Sequence, residues 1–334
     1  MDDGNRPRVA VIGAGHRGRG WASLALSRGW PVSLYDSESS LLQKAGREVA
    51  DRVRRLTDLG RADPLEAAGA PASLVIGRSL LHAVGDAGLV LDAMPADLST
   101  KQRLLEQIEQ VAARDAIVVS LTGSMHASSL AARLRRPDRH LVAYALDPVE
   151  IVQLVEIVPG RHTALAVTRQ VKDWFAALDR QPVVLQREVV GNASGRILAA
   201  IWRECIDLVL EGVVDLADVD RVVSRGPAAA LAVAGPNLTQ VMGAGAQGME
   251  YFLGEALQAH EAVWSKLAHW ETLSAEDRHR LIRMVERTYH DEPGELRTQR
   301  DRFLARLLGA LEDRPRDPET EFDEFPAPDD VSRE

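Results

Sequence analysis

The stretch from Arg8 to Gly18 reads RVAVIGAGHRG, and no other part of the chain so narrows its possible folds. The apolar run Arg8–Ile12 is a short buried strand, and helical periodicity follows from about Gly18 to Ser27. Between them lies Gly-x-Gly-x-x-Gly. That motif alone is a weak signal, but in strand–turn–helix context it marks a dinucleotide-binding unit. Gly13 permits the tight turn, Gly15 lets the backbone approach a pyrophosphate, and Gly18 lets the helix pack on the strand. The helix N-terminus then faces the anion. A second strand, Pro31–Tyr35, runs into Asp36, about 20 residues beyond the motif. A carboxylate there accepts hydrogen bonds from the ribose hydroxyls and repels a 2′-phosphate. Ser37 follows, with no Arg beside it, so NAD is expected rather than NADP. Gly13, Gly15, His16, Arg17, Gly18 and Asp36 form the expected cofactor set.

Further buried strands are expected at Leu89–Ala93, Ala116–Leu121, His140–Ala145, Leu154–Val158 and Pro182–Leu185. Helical periodicity covers Leu41–Leu59 and Leu98–Ala113, and Gly69–Ser73 reads as a loop. Strands alternating with helices predict a Rossmann-type, doubly wound parallel sheet of the α/β class. Beyond Gly191 the period is helical, over Arg196–Glu211, Met249–Leu267, Ala275–Tyr289 and Glu295–Leu311. The expected organisation is a nucleotide-binding domain over 1–188 and an all-α C-terminal domain over 189–312. An acidic, Pro-bearing stretch over 313–334 is expected to be disordered.

The chain has 334 residues and a formal net charge of −9, which argues against a nucleic-acid surface or a polybasic membrane patch. Its single cysteine, Cys205, excludes an intrachain disulfide and reads as a small buried hydrophobe on a helix. No apolar run reaches the roughly 20 residues of a membrane span, and the N-terminus enters a strand without a cleavable leader. The expectation is a soluble cytoplasmic protein with no metal site.

Several segments together resemble the 3-hydroxyacyl-CoA dehydrogenase family, and within it the L-gulonate 3-dehydrogenase and lambda-crystallin branch. They are GAGHRGRGWA, LYD, LDAMPADLSTKQ, SLTGSM, YALDPVEIVQLVEIVPG, EGVVDLADVD and YHDEPGELRTQRDRFLARL. The resemblance implies an NAD domain followed by a helical domain that also builds a homodimer. It also implies hydride transfer between NAD and a secondary alcohol or its ketone, with a His–Glu pair moving the proton. The family's His-x-x-Asn-Pro corresponds to Tyr144-Ala145-Leu146-Asp147-Pro148, so Tyr144 stands at the His position and Asp147 at the Asn position. Glu156 matches the family Glu; Lys101, which matches the family's Lys, and Thr122 complete the expected cofactor set. The Ser that closes the family's Ser-x-Thr-Ser falls at Gly123, within Ser120-Leu121-Thr122-Gly123-Ser124, and Thr122 and Ser124 lie on the loop that faces the nicotinamide in the family.

These departures strike the proton relay and leave the cofactor residues largely intact. Near neutral pH a phenol is a better proton donor than base, which favours reduction. Asp147 and Glu156 together would suit a cationic substrate such as an iminium. The catalytic candidates are therefore Tyr144, Glu156, Asp147 and Ser124. His126 reads as a surface residue. The leading expectation is an NAD(H)-dependent oxidoreductase acting on a small hydroxy, keto or imine compound. The alternatives are a non-redox reaction using bound NAD, and a non-catalytic NAD-binding protein.

Overall fold

The computed structural model describes residues 6–312; the stretch over 313–334, expected to be a disordered tail, lies outside them. Among the described residues the strands are β1 (Val9–Ile12), β2 (Val32–Tyr35), β3 (Leu74–Ile76), β4 (Leu89–Asp92), β5 (Ile117–Leu121), β6 (His140–Ala145), β7 (Leu154–Pro159) and β8 (Gln181–Val184). The first helices are α1 (His16–Ser27), α2 (Ser39–Asp58), α3 (Pro64–Ala68), α4 (Ala70–Ser73), α5 (Leu80–Val84), α6 (Leu98–Val111), α7 (Ala127–Leu130) and α8 (Leu165–Ala177). The later ones are α9 (Asn192–Leu210), α10 (Leu216–Arg225), α11 (Pro227–Ala244), α12 (Gly248–Tyr251), α13 (Leu257–Trp264), α14 (Ala275–Thr288) and α15 (Pro293–Glu312).

The strands form one sheet in the order β3-β2-β1-β4-β5-β6-β7-β8. From β3 to β6 every pairing is parallel. Such strands are buried on both faces and need apolar residues throughout, as Val9, Ala10, Val11 and Ile12 illustrate. Helix α2 packs along α1, burying Ala45, Val49, Val53 and Leu56, spaced to share one face. The chain passes to one side of β1 through β2 and β3, then returns to β4 on the other side. That reversal opens a crevice at the carboxyl ends of β1 and β4, the usual place for a dinucleotide.

The Rossmann-type expectation is met, with corrections. The sheet is not wholly parallel: β7 runs antiparallel to β6, with Tyr144 opposite Glu156. The link over 146–153 is too short for a crossover helix, so the chain turns straight back. Helix α8 then supplies a crossover, and β8 lies parallel to β7. The expected loop Gly69–Ser73 contains the helical turn α4, with Pro71 in its first turn. The expected helix Met249–Leu267 is broken by a π-helical segment at Phe252–Ala256. Cys205 is half-buried rather than enclosed.

Among the described residues two compact units emerge, one of residues 6–195 with 301–305, the other of 196–300 with 306–312. The described part of the second unit is helical. Within it, Asp207 accepts a bond from Trp270 Nε1 at 2.8 Å, and Glu204 accepts one from the Ala268 amide at 2.9 Å.

Candidate active site

The turn after β1 has the shape the glycines foretold. Gly13 sits at φ 108°, and a Cβ there would lie 2.9 Å from the Ala93 carbonyl carbon and the Met94 nitrogen. A Cβ on Gly18 would lie 1.8 Å from the Gly13 carbonyl oxygen, so only glycine allows α1 to start so close to the strand. Gly15 faces open space. It caps α1 without any side chain bonding the first amides, so those donors are free for an anion. Asp36 is buried at the end of β2, accepting from Ala14 N at 2.7 Å and Glu38 N at 2.9 Å. These bonds hold the carboxylate against the loop, with lone pairs left for a ribose diol. This cradle fits NAD.

His16, the first residue of α1, accepts a 2.8 Å bond at Nδ1 from Arg52 of α2. Burial, followed by the Arg52 charge, lowers its pKa. Arg52 is held in turn by the buried Glu150, 2.5 Å from its Nη1. Arg52 and Glu150 are two residues sequence reasoning missed. The signal was there: Val149-Glu150-Ile151 has the same carboxylate-between-apolars pattern as Val155-Glu156-Ile157.

Beside the cradle lies a pocket of about 510 Å³, lined by Arg17, Met94, Thr122, Gly123, Ser124 and Tyr144 among others. Strand β6 delivers Tyr144 and β5 delivers the loop Thr122–Ser124. Among the described residues none bonds the Tyr144 hydroxyl. The Arg17 guanidinium carbon lies 5.5 Å from the Tyr144 ring centroid, within the range of cation–π attraction. Its Nε donates to Asp147 Oδ2 at 3.1 Å. Arg17 is thus a strut between the turn after β6 and the Tyr144 ring.

Glu156 is saturated by the first turn of α9. It accepts from Ala193 N at 3.0 Å, Ser194 N at 2.9 Å and Ser194 Oγ at 2.6 Å. A carboxylate at free helix amides is favoured by charge and by hydrogen bonding together. Gly191 and Asn192, both at positive φ, turn the chain to present those amides. Both carboxylates expected to suit a cationic substrate already have partners within the protein. One is paired with Arg17 and the other holds a helix terminus.

Lys101 lines the same pocket but spends its ammonium on Asp92, 2.7 Å away, with both side chains buried. Ser120 Oγ donates to Asp92 at 3.1 Å and lies 3.1 Å from His140 Nε2. Burial first, then the Lys101 charge, push the His140 pKa down to about 3, so this imidazole is neutral. The network stiffens the ends of β4 and β5 beneath the pocket. Thr122 Oγ1 and Ser124 Oγ lie 3.3 Å apart, and Thr122 Oγ1 also accepts from the Ser124 amide. His126 is not the surface residue expected: it is half-buried, and its enclosed Nε2 has no partner among the described residues.

Residues 8–189 match the model of the 3-hydroxyacyl-CoA dehydrogenase NAD binding domain, and residues 191–282 that family's C-terminal domain. An L-carnitine dehydrogenase of Oceanobacillus iheyensis is 30% identical over 92% of this chain and 98% of its own length. One from Bacillus cereus is 30% identical over 91% and 92%. Among solved structures, an NAD-dependent 5-formyl-3-hydroxy-2-methylpyridine 4-carboxylic acid 5-dehydrogenase has a TM-score of 0.80 at 26% identity. That match covers 92% of this chain and 99% of the other. The (S)-3-hydroxybutyryl-CoA dehydrogenase PaaH1 of Ralstonia eutropha has a TM-score of 0.60 at 25% identity, covering 66% of this chain and 77% of its own. The chain belongs to the 3-hydroxyacyl-CoA dehydrogenase family. It is an NAD-dependent dehydrogenase, an oxidoreductase of hydroxy substrates.

Proposed function

We propose that this dehydrogenase acts on a small hydroxy or keto compound, working best as a reductase, with Tyr144 as proton donor in place of the family's His. The observation that carries this reading is the unpartnered Tyr144 hydroxyl in the pocket beside the NAD cradle. When bound, NADH supplies the hydride to the carbonyl carbon. Tyr144 gives its proton to the carbonyl oxygen as the alcohol forms, then regains one from solvent. Arg17, itself held by Asp147, keeps the ring in place. Gly13, Gly15, His16, Arg17, Gly18 and Asp36 hold the cofactor. Thr122 and Ser124 line the substrate side, and Lys101 acts through Asp92 by fixing the strand ends.

The relatives' name makes carnitine, a 3-hydroxy acid bearing a quaternary ammonium, the first compound to test, together with its 3-keto form. NADH absorbance, followed with a panel of 3-keto acids both with and without a cationic group, tests the proposal. Turnover is expected with NADH and at most weakly with NADPH, because Asp36 opposes a 2′-phosphate. Equal or better turnover with NADPH would overturn the reading of Asp36. Absence of reduction across the panel, in a protein that binds NADH, would overturn the reductase reading.

The same proposal includes a homodimer formed through the helical unit, and residence in the cytoplasm, where NAD(H) is exchanged. No helix among the described residues is long and apolar enough to cross a membrane. Within the helical unit, α9 exposes Ile197, Leu198 and Trp202, and α11 exposes Val241 and Met242. Exposed apolar area of this kind marks an interface. Light scattering should give twice the chain mass of 36.5 kDa; a single-chain mass at micromolar concentration would refute the dimer.

A further inference from the structure

Glycine at position 123 has no backbone reason. Its φ lies outside the left-handed region in which glycine is favoured. The explanation is steric. A Cβ on Gly123 would stand 3.0 Å from both Cδ2 and Cε2 of Tyr144 and 3.3 Å from Cζ, the carbon bearing the hydroxyl. Those separations are shorter than the roughly 3.5–4.0 Å optimum for two carbons. The loop cannot simply retreat, because the Gly123 carbonyl accepts a 2.8 Å bond from the Gly191 amide. That turn in turn leads into the α9 residues bonded to Glu156. The ring meets a second constraint in Arg17, which Asp147 holds by an ion pair. A side chain at 123 would therefore have to move the phenol.

We infer that Gly123 is a positioning residue for the reaction: its missing side chain leaves the space in which the Tyr144 ring sits, and so sets where the Tyr144 hydroxyl meets the substrate. The inference rests on Tyr144 being the proton donor. It gives Tyr144, Gly123, Arg17 and Asp147 one shared explanation, as a packed unit in which each fixes another's place. The three atoms nearest a Cβ at 123 all belong to Tyr144, so the effect of a side chain there falls on turnover rather than on cofactor affinity.

The test is a double-mutant cycle between Gly123→Ala and Tyr144→Phe, measured in the reductive direction with any keto acid turned over in the panel. NADH binding is followed by fluorescence, and melting by circular dichroism. Phenylalanine keeps the ring and its clash but removes the proton. Gly123→Ala should lower kcat roughly tenfold, since misplacement by about 1 Å can cost about a hundredfold and the ring need yield only a fraction of that. KM and the NADH dissociation constant should stay within about twofold. In the Tyr144→Phe background the same alanine should change kcat by less than twofold, because no hydroxyl remains to misplace. Multiplying effects, or a Gly123→Ala enzyme as fast as the parent, would overturn the inference. A Tyr144→Phe enzyme as fast as the parent would instead overturn the proton-donor assignment, so the two failures are distinguishable.

Discussion

Replacing Tyr144 by Phe is expected to reduce carbonyl reduction by roughly a hundred- to a thousandfold, the usual range for losing a positioned general acid. The substitution deletes one oxygen and leaves the ring between Gly123 and Arg17, so the pocket keeps its shape. Affinity for NADH should change little, because Tyr144 is not among the groups that build the cradle around Gly13, Gly15, Gly18 and Asp36. Stopped-flow measurement of a single reductive turnover isolates the chemical step from product release. Parental single-turnover rates in the Phe enzyme would remove Tyr144 from the proton relay and leave it a wall of the pocket.

The second large effect is on stability. Lys101→Met should destabilise the protein by about 3–5 kcal/mol, the usual cost of stripping one partner from a buried ion pair. Methionine fills most of the volume of the lysine stem, so the loss would not be a packing loss. Asp92 would be left buried with a charge and only Ser120 Oγ and the Met94 amide as donors. His140 cannot take the place of the ammonium near neutral pH, since burial holds it neutral. Urea unfolding at fixed pH measures the change. A loss below about 1 kcal/mol would show that the ammonium is not the compensating charge, and would return Lys101 to a direct role at the cofactor.

Local residue types carried much of the fold into view. Short apolar runs of Val, Ile and Leu identified the central strands, because a strand covered on both faces has no room for alternation. The phosphate loop was legible for a stronger reason: a close approach of backbone to backbone admits only glycine, so the geometry is written in residue identity. The direction of β7 was not legible. LVEIVP packs as well antiparallel as parallel, and the length of the preceding link decided between them. Helix α4 was hidden because Gly-Ala-Pro-Ala-Ser reads as a turn until Pro71 is seen at the start of a helical turn.

The functional pocket divides along the same line. The sequence by itself determined the NAD domain and its glycine-rich turn, and it set Tyr144 three residues before Asp147-Pro148. It also showed that Glu156 is a charge among apolar residues and so must have a partner. Only the tertiary structure decided who the partners are. Glu156 meets backbone amides of α9, Asp147 in the turn after β6 meets Arg17 in the first turn of α1, and Gly123 faces the ring of Tyr144. These residues are far apart along the chain, and hydrogen bonds and steric contacts depend on separation in space. Where β-strands bring such groups to within a few ångströms, residue types alone no longer specify which of them pair.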